Sequence, residues 1–194
     1  MINKILNNNF NSELITVAIH SDTGYHVLIS KYVRDSISLD KKVLYFSLEI
    51  DKELMSKRIG VENSECLLVE DRPINDLNDI IDRINEFNPN LVVVDNLQLL
   101  PDENEAIKLL RKVSIDNNIP VIVFSKIDSL NNNLDFTTLN LEEFIMANPK
   151  LELIIKKSDK LVVLYHKQDK EYTYRELKNI HGEVREIDIR ELLD

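Results

Sequence analysis

A loop with part of a phosphate-binding motif holds the first residues that could do chemistry. An apolar run ends at Ile19, and a helix-like pattern begins at Val27. Between them lies the place for a loop of the form G-x-x-x-x-G-K-S/T. Gly24 fits its second glycine, but Ile19 stands at the first glycine, Tyr25 at the lysine and His26 at the serine or threonine. Because that lysine contacts phosphate and that hydroxyl holds magnesium, ordinary ATP hydrolysis is not expected.

Carboxylates follow two other apolar runs. Glu49 comes just after the run that ends at Ser47, and Asp95 closes a third run. Open parallel sheets bind ligands at the carboxyl ends of their strands, so both acids are expected near Gly24. In phosphoryl transfer, one acid would support magnesium and the other would polarise the attacking water. An acid that closes a strand is also a common helix cap, so each acid alone is a weak indication.

Apolar runs that alternate with helix-period segments predict the elements that position these residues. The runs largely lack polar alternation, which is typical of strands buried on both faces. We therefore predict an α/β fold, a mostly parallel sheet flanked by helices, in a single domain over residues 1–194. The predicted strands are Leu14–Ile19, Lys42–Ser47, Leu91–Asp95, Pro120–Ser125 and Lys160–Tyr165, and the predicted helices are Val27–Ile37, Asp51–Ile59, Ile74–Phe87 and Glu103–Asn117.

The C-terminal part departs from this alternation. Glu171–Leu177 and Glu183–Ile189 are predicted to form an antiparallel strand pair around a glycine-containing turn. Asp128–Asn148 is predicted to be a surface excursion that carries a short helix, Leu139–Met146.

The composition argues against several kinds of protein, including nonspecific nucleic-acid binders and membrane-spanning proteins. Acidic residues outnumber basic ones 34 to 24, for a net charge of −10, which opposes nonspecific binding to nucleic acid. The densest basic cluster, Lys156, Lys157 and Lys160, is interpreted as a solvated face. No apolar run approaches the roughly 18 residues of a membrane span. A single cysteine, Cys66, excludes an internal disulfide, fits a cytoplasmic location and is predicted to be a small core residue.

Five segments resemble the C-terminal motor domain of DnaB-type replicative helicases, a RecA-like fold. Val43–Ile50 resembles the family's strand ending S-L-E-M, Leu91–Leu100 its V-I-D-Y-L-Q-L stretch, Ile119–Lys126 its P-V-x-x-x-S-Q strand, Lys156–Tyr165 its Q-D-A-D strand, and Lys178–Gly182 matches K-x-R-x-G at its lysine and glycine. The similarity runs from about Ser12 to Ile189.

The resemblance assigns roles to residues and identifies departures from them. In the family, the residue at Glu49 activates water and the residue at Asp95 supports magnesium. Lys126 replaces a glutamine that senses the γ-phosphate, and Ile180 replaces the arginine finger, whose loss costs several orders of magnitude in rate. The nearby lysine is kept as Lys178.

These departures predict a vestigial site. No catalytic residue is expected to act, Glu49 and Asp95 being vestigial, and the vestigial nucleotide pocket consists of Gly24, Tyr25, His26, Lys126 and Lys178. No metal or cofactor is expected, although weak binding of ATP or ADP with magnesium stays open. Tyr25 is expected to plug the phosphate cavity rather than to stack on a base. Lys126 either replaces the missing charge or is a solvated lysine. A metal site at His20 and His26 is disfavoured against a polar loop.

DNA binding is not expected either. The family's pore loops correspond to residues 126–149, where Lys126 is the one basic residue before Lys150. A channel for a phosphate backbone needs the opposite charge balance.

Three functions follow from this reading. The first is a non-catalytic, DnaB-like protein-interaction module that binds a replicative helicase or a related RecA-like ATPase. The second is an active nucleotide-hydrolysing helicase component with an unusual loop, favoured by the presence of both acids. The third is a self-assembling structural protein.

Overall fold

A computed structural model describes residues 12–20, 25–61, 64–127, 140–166, 172–179 and 186–188. Its strands are β1 (Leu14–His20), β2 (Val43–Ser47), β3 (Leu67–Glu70), β4 (Leu91–Asp95), β5 (Val121–Ile127), β6 (Lys160–His166), β7 (Tyr172–Asn179) and β8 (Glu186–Asp188). Its helices are α1 (Tyr25–Ser38), α2 (Lys52–Ile59), α3 (Asn78–Phe87), α4 (Glu103–Asn117), α5 (Leu141–Ala147) and α6 (Glu152–Lys157), with short 3₁₀ turns at Leu97–Leu99 and Pro149–Leu151.

The strands form one sheet in the order β3-β2-β4-β5-β1-β6-β7-β8. The first six strands in that order are parallel, and β7 and β8 pair antiparallel. The predicted fold class and the predicted C-terminal strand pair are therefore confirmed. Because β2, β4, β5 and β1 are neighbours, their carboxyl ends lie together at one edge of the sheet.

Two hydrophobic cores cover the two faces of the sheet. Successive side chains of a strand point to opposite faces, so the odd residues of β1, such as Ile15 and Ile19, join one core. Leu14 and Ala18 join the other. Helices α1 and α2 pack on the first face, and α3, α4, α5 and α6 pack on the second. Burial on both sides explains why the strands are apolar at nearly every position.

Local signals position the helix that follows β2. The side chain of Asp51 accepts a hydrogen bond of 2.8 Å from the backbone N–H of Leu54, which begins α2 one residue after the predicted start. Gly60 ends the helix with φ of 74°, a left-handed conformation that favours glycine.

Several predictions need correction. β3 and α6 were not predicted, because each is short and lies among charged residues. The predicted helix from Ile74 begins only at Asn78, whose N–H bonds the side chain of Asp76 in a turn. Cys66 is half-buried in the turn before β3 rather than in the core.

Lys160 was predicted to be solvated and is instead buried. Its side chain is fully buried and forms an ion pair of 3.0 Å with the buried carboxylate of Glu13. The interpretation of Lys156, Lys157 and Lys160 as one solvated face holds for the first two residues and is wrong for the third. The physical reason is position, since β6 is an interior strand between β1 and β7.

No helix in the described part of the chain is long and apolar enough to span a bilayer.

Candidate functional site

The two strand-end acids lie side by side at the carboxyl edge of the sheet. Ser47 of β2 is in register with Asp95 of β4, and the N–H of Leu48 donates a hydrogen bond of 2.7 Å to the carbonyl oxygen of Asp95. Glu49 therefore lies next to the start of the loop that follows Asp95. The side chain of Asn96 bridges the two segments, because its Nδ2 donates a 2.8 Å hydrogen bond to Oε1 of Glu49.

Both carboxylate oxygens of Asp95 accept tyrosine hydroxyls. The hydroxyl of Tyr25, in the first turn of α1, donates to Oδ1 at 2.9 Å. The hydroxyl of Tyr45, on β2, donates to Oδ2 at 2.8 Å. Asp95 is 1% exposed and both tyrosines are buried, and the Tyr25 ring also packs on Phe124 with 5.0 Å between centroids. The residue at the motif's lysine position thus inserts an aromatic ring and a hydroxyl between α1 and the sheet.

Burial shifts the proton affinities of this group. Removal from water raises the pKa of Asp95 to about 6, although the two tyrosine hydroxyls act in the opposite direction. Burial, together with the nearby carboxylate of Asp95, raises the pKa of Tyr25 and of Tyr45 well above the ordinary value. Both hydroxyls therefore keep their protons and stay hydrogen-bond donors at neutral pH.

Glu49 accepts a second donor besides Asn96. The ammonium of Lys126, at the end of β5, bonds the same Oε1 of Glu49. The Glu49 side chain is 24% exposed and that of Lys126 is 53% exposed, so the pair lies at the mouth of the site. Lys126 was expected either to replace the missing charge or to be a solvated lysine. Its side chain reaches the edge of the sheet where the acids lie, and its ammonium pairs with Glu49.

Gln98 holds the end of β5 against the loop after β4. Its Nε2 donates to Oγ of Ser125 at 2.7 Å and to the carbonyl oxygen of Lys126 at 3.2 Å. Its Oε1 accepts the N–H of Lys126 at 3.2 Å. The side chain of Asn96 in turn accepts the N–H of Gln98 at 2.9 Å. This network sets the backbone position from which Lys126 extends.

His26 lies beside Asp95 without bonding it. Its Nδ1 is buried, 3.6 Å from Oδ2 of Asp95, and has no hydrogen-bond partner among the described residues. Burial, followed by the positive charge of Arg58, lowers the pKa of His26, so the imidazole is neutral at pH 7. Within the described ranges, no group of three His, Cys, Asp or Glu side chains is arranged to hold a metal ion.

Lys178 lies at the opposite end of the parallel strands, near their amino ends. It is in register with Leu161 near the start of β6, and its ammonium donates to the carbonyl oxygens of Ile155 at 2.8 Å and of Ser158. There it satisfies carbonyls at the C-terminal end of α6. The structure thus brings Tyr25, His26, Lys126, Glu49 and Asp95 together and separates Lys178 from them. Gly24 and Ile180 lie outside the described residues, and the vestigial roles of all these residues stay predictions.

Solved structures share this arrangement of strands and helices. A DnaB-like replicative helicase, described with its interactions with primase, superposes with a TM-score of 0.75 at 14% identity, over 92% of this chain and 55% of that chain. An ATPase domain superposes with a TM-score of 0.72 at 15% identity, over 92% and 81% of the two chains. The fold is RecA-like. A KaiC-like protein from Pyrococcus horikoshii OT3 also superposes, with a TM-score of 0.66 at 12% identity, over 92% of this chain and 83% of that chain.

The RecA-like chain spans about half the length of that DnaB-like helicase. No family model and no curated protein matches the sequence. At these identities the likeness establishes the fold, and it confirms the expected resemblance to DnaB-like ATPase domains at the level of structure.

The residues at the carboxyl edge of this RecA-like sheet do not fit a magnesium ion as they stand. A cation at Asp95 would compete with two tyrosine hydroxyls, and a cation at Glu49 would compete with an ammonium group. Magnesium prefers octahedral oxygen coordination and keeps several of its waters, which needs room that the Tyr25 ring and the hydroxyls occupy.

Sequence reasoning missed four contributors to this site. Tyr45 lies inside an apolar strand, Asn96 and Gln98 lie in a stretch quoted only for resemblance, and Arg58 lies on α2. Alternation along β2 could have indicated Tyr45, because it stands two residues before Ser47 and so faces the same side. No local signal indicates that Arg58 acts on His26.

Proposed function

We propose that this chain is a non-catalytic, DnaB-like protein-interaction module that binds a replicative helicase or a related RecA-like ATPase. One observation carries the proposal: both acids that the resemblance would assign to catalysis are engaged by the chain's own donors. Asp95 accepts Tyr25 and Tyr45, and Glu49 accepts Lys126 and Asn96.

The chemistry of phosphoryl transfer supports this reading. Catalysis there consists of positioning and of electrostatic stabilisation by a lysine, a metal-holding hydroxyl and charged groups. This chain has Tyr25 and His26 at the first two positions. A carboxylate that would polarise water needs an accessible lone pair directed at that water, whereas one of the two Glu49 oxygens, Oε1, already accepts both Asn96 and Lys126.

The choice of partner follows from fold and charge. A RecA-like framework that does not cleave nucleotide still offers the surfaces of its relatives, and the DnaB-like helicase it superposes on is described with its interactions with primase. A net charge of −10 favours a protein partner over a phosphate backbone.

The second candidate is an active nucleotide-hydrolysing helicase component. A specific observation favours it, because Glu49 and Asp95 lie on neighbouring strand ends and Asn96 connects them. The third candidate is a self-assembling structural protein with no second partner.

Calorimetry with ATP, ADP and magnesium, followed by a phosphate-release assay, separates the first two candidates. The proposed module shows no turnover above that of Glu49→Gln. Tight binding together with turnover that disappears in Glu49→Gln would establish the second candidate and overturn the proposal.

Mass photometry tests the interaction itself. The chain is mixed at micromolar concentration with the replicative helicase of its source, and in parallel with an unrelated acidic protein of similar charge. A new complex that forms in the mixture with the helicase, and not in the mixture with the control protein, supports the proposal. Absence of association contradicts it, and a mass that grows with concentration of the chain alone supports self-assembly.

A further inference from the structure

A β-bulge interrupts the pairing of β7 with β6 near the end of β7. Leu161 is opposite Lys178, and the next residue of β6, Val162, is opposite Glu176. Leu177 therefore has no residue opposite it, and the regular alternation of side chains between the two faces of the sheet is broken there. Leu177 is buried in the core that α6 covers, and Lys178 bonds α6. The bulge thus turns two consecutive side chains toward the same helix.

The ammonium of Lys178 reaches the C-terminal end of α6. It donates hydrogen bonds to the carbonyl oxygens of Ile155 at 2.8 Å, of Lys156 at 3.3 Å and of Ser158. The last carbonyls of a helix lack partners within the helix and carry partial negative charge, so a cation is favourable there. An ammonium has three donors, and all three are used at this helix end.

That helix end is in turn fixed to β1. The side chains of Ser158 and Thr16 form a buried hydrogen bond of 2.6 Å. The N–H of Asp159 donates to the carbonyl oxygen of Leu14 at 2.8 Å, and the carboxylate of Asp159 accepts the N–H of Leu14 at 2.8 Å. In the sheet, β1 lies between β5 and β6. Lys178 therefore connects β7 to a strand two places away, by a route other than the ladder with β6.

Burial strengthens this connection. Lys178 is half-buried, and burial lowers the pKa of its ammonium group, while the nearby carboxylate of Asp159 raises it. Asp159 is itself 3% exposed and pairs with Arg111. Hydrogen bonds from a charged donor are stronger than neutral ones, and removing one partner leaves the other without compensation. Loss of the ammonium is therefore expected to weaken the contact between β7 and α6 considerably.

The strand pair held in this way covers one side of β6. In the sheet order, β8 pairs with β7 and β7 pairs with β6. Departure of β7 would therefore take β8 with it and leave the backbone of β6 without a neighbour on that side. The strand Lys160–His166 is mostly apolar, and unpaired apolar strands at a sheet edge tend to associate with other chains. The fold thus depends on keeping β7 in place.

We propose that Lys178 and the Leu177 bulge form a lock that holds β7 and β8 as a strap over the side of β6. When the ammonium leaves the carbonyls of the α6 end, α6 and β7 open together, before the parallel strands unfold. The closed lock keeps β6 covered. This inference goes beyond the proposed function, because it does not depend on whether the chain binds a helicase or cleaves nucleotide.

Amide hydrogen exchange by NMR at urea concentrations below the unfolding transition tests the strap in the unaltered chain. The amides at the end of α6 and those of β7 are expected to exchange through one shared opening, with the same free energy and the same urea dependence. Both values are expected to be smaller than those of the slowest amides of β4 and β5, which report global unfolding. Two separate openings, or an opening identical with global unfolding, would overturn the proposal.

Variants test the role of the ammonium. Lys178→Met keeps the aliphatic stem, and exchange at α6 and β7 is expected to become faster by one common factor of at least about ten, because charged hydrogen bonds are lost. Lys178→Arg keeps the charge and several donors, and its exchange is expected to stay within about threefold of the original chain. Lys157→Met is the matched control, because Lys157 is exposed at the last position of α6.

The variants give two outcomes against the lock. Faster exchange at α6 alone in Lys178→Met would make the lysine a helix cap and would refute the strap. Equal effects of Lys178→Met and Lys157→Met would refute the role of the ammonium. The urea experiment needs no variant, so it decides whether α6 and β7 open together even if Lys178→Met does not fold.

Discussion

The hydroxyl of Tyr25 donates a 2.9 Å hydrogen bond to Oδ1 of Asp95, across 70 residues of sequence. It connects the residue at a motif's lysine position with the acid that the resemblance assigns to magnesium. Two residues far apart in sequence thus form a buried donor–acceptor pair at the carboxyl ends of the strands.

Tyr25→Phe keeps the ring and removes that donor. We expect it to lower the free energy of unfolding by about 1–3 kcal/mol, because the buried Asp95 loses one of its two donors. Urea denaturation gives the value. In a background of Asp95→Asn the same change should cost at least about 1 kcal/mol less. Equal costs in both backgrounds would show that the hydrogen bond does not contribute to stability.

Asp95 should make stability fall as pH rises. Its pKa is 3.8 in an unfolded chain and about 6 in the folded one, so the folded state holds the proton more tightly. The stabilisation is present below pH 3.8 and is lost as pH passes 6. Relative to Asp95→Asn, the protein should lose about 2.4 kcal/mol of its free energy of unfolding between pH 4 and pH 7.

Urea denaturation of both proteins across that range measures the loss. The difference between them is used because His26 has a lowered pKa and acts in the opposite direction, destabilising the fold as pH falls. A constant difference between the two proteins would contradict the raised pKa of Asp95.

Introducing the lysine and the hydroxyl residue of the phosphate-binding motif should raise the affinity for nucleotide. Tyr25→Lys with His26→Thr frees an oxygen of Asp95 and supplies the missing ammonium and hydroxyl groups. Charge-assisted hydrogen bonds contribute about 1.5–3 kcal/mol, so affinity for magnesium-ATP should rise about tenfold or more. Calorimetry measures it. The control, Tyr25→Met with His26→Val, vacates the same space without charge, and an equal gain there would assign the effect to space alone.

The buried pair of Glu13 and Lys160 should be costly to break. Lys160→Met leaves a buried carboxylate and is expected to lower the free energy of unfolding by about 3–5 kcal/mol. Adding Glu13→Gln should recover most of that loss. Lys156→Met removes an exposed pair with Glu152 and should cost less than about 0.5 kcal/mol. Similar losses at both lysines in urea denaturation would contradict the burial argument.

Sequence patterns were sufficient to predict the positions of the long strands and helices. β4 and α4 have the predicted bounds; β1, β2 and β6 differ from prediction by one residue at one end, and β5 differs by one residue at its start and two at its end. Hydrophobic periodicity indicates such elements because the same residues form the two cores. β3 was not predicted because three apolar residues next to charged ones form no periodic pattern. The burial of Lys160 was not predicted because it depends on a counterion, Glu13, that lies 147 residues away in sequence.

The order of residue types along the chain determined that the acids follow strands and that Tyr25 and His26 stand at the start of the helix after β1. It thereby determined which groups meet at one edge of a parallel sheet. The tertiary structure decided how they pair: Tyr25 and Tyr45 on Asp95, Lys126 on Glu49, and Lys178 at the opposite end of the parallel strands. Such pairing depends on distances of a few ångströms between separate strands and helices, and strand packing sets those distances rather than local sequence.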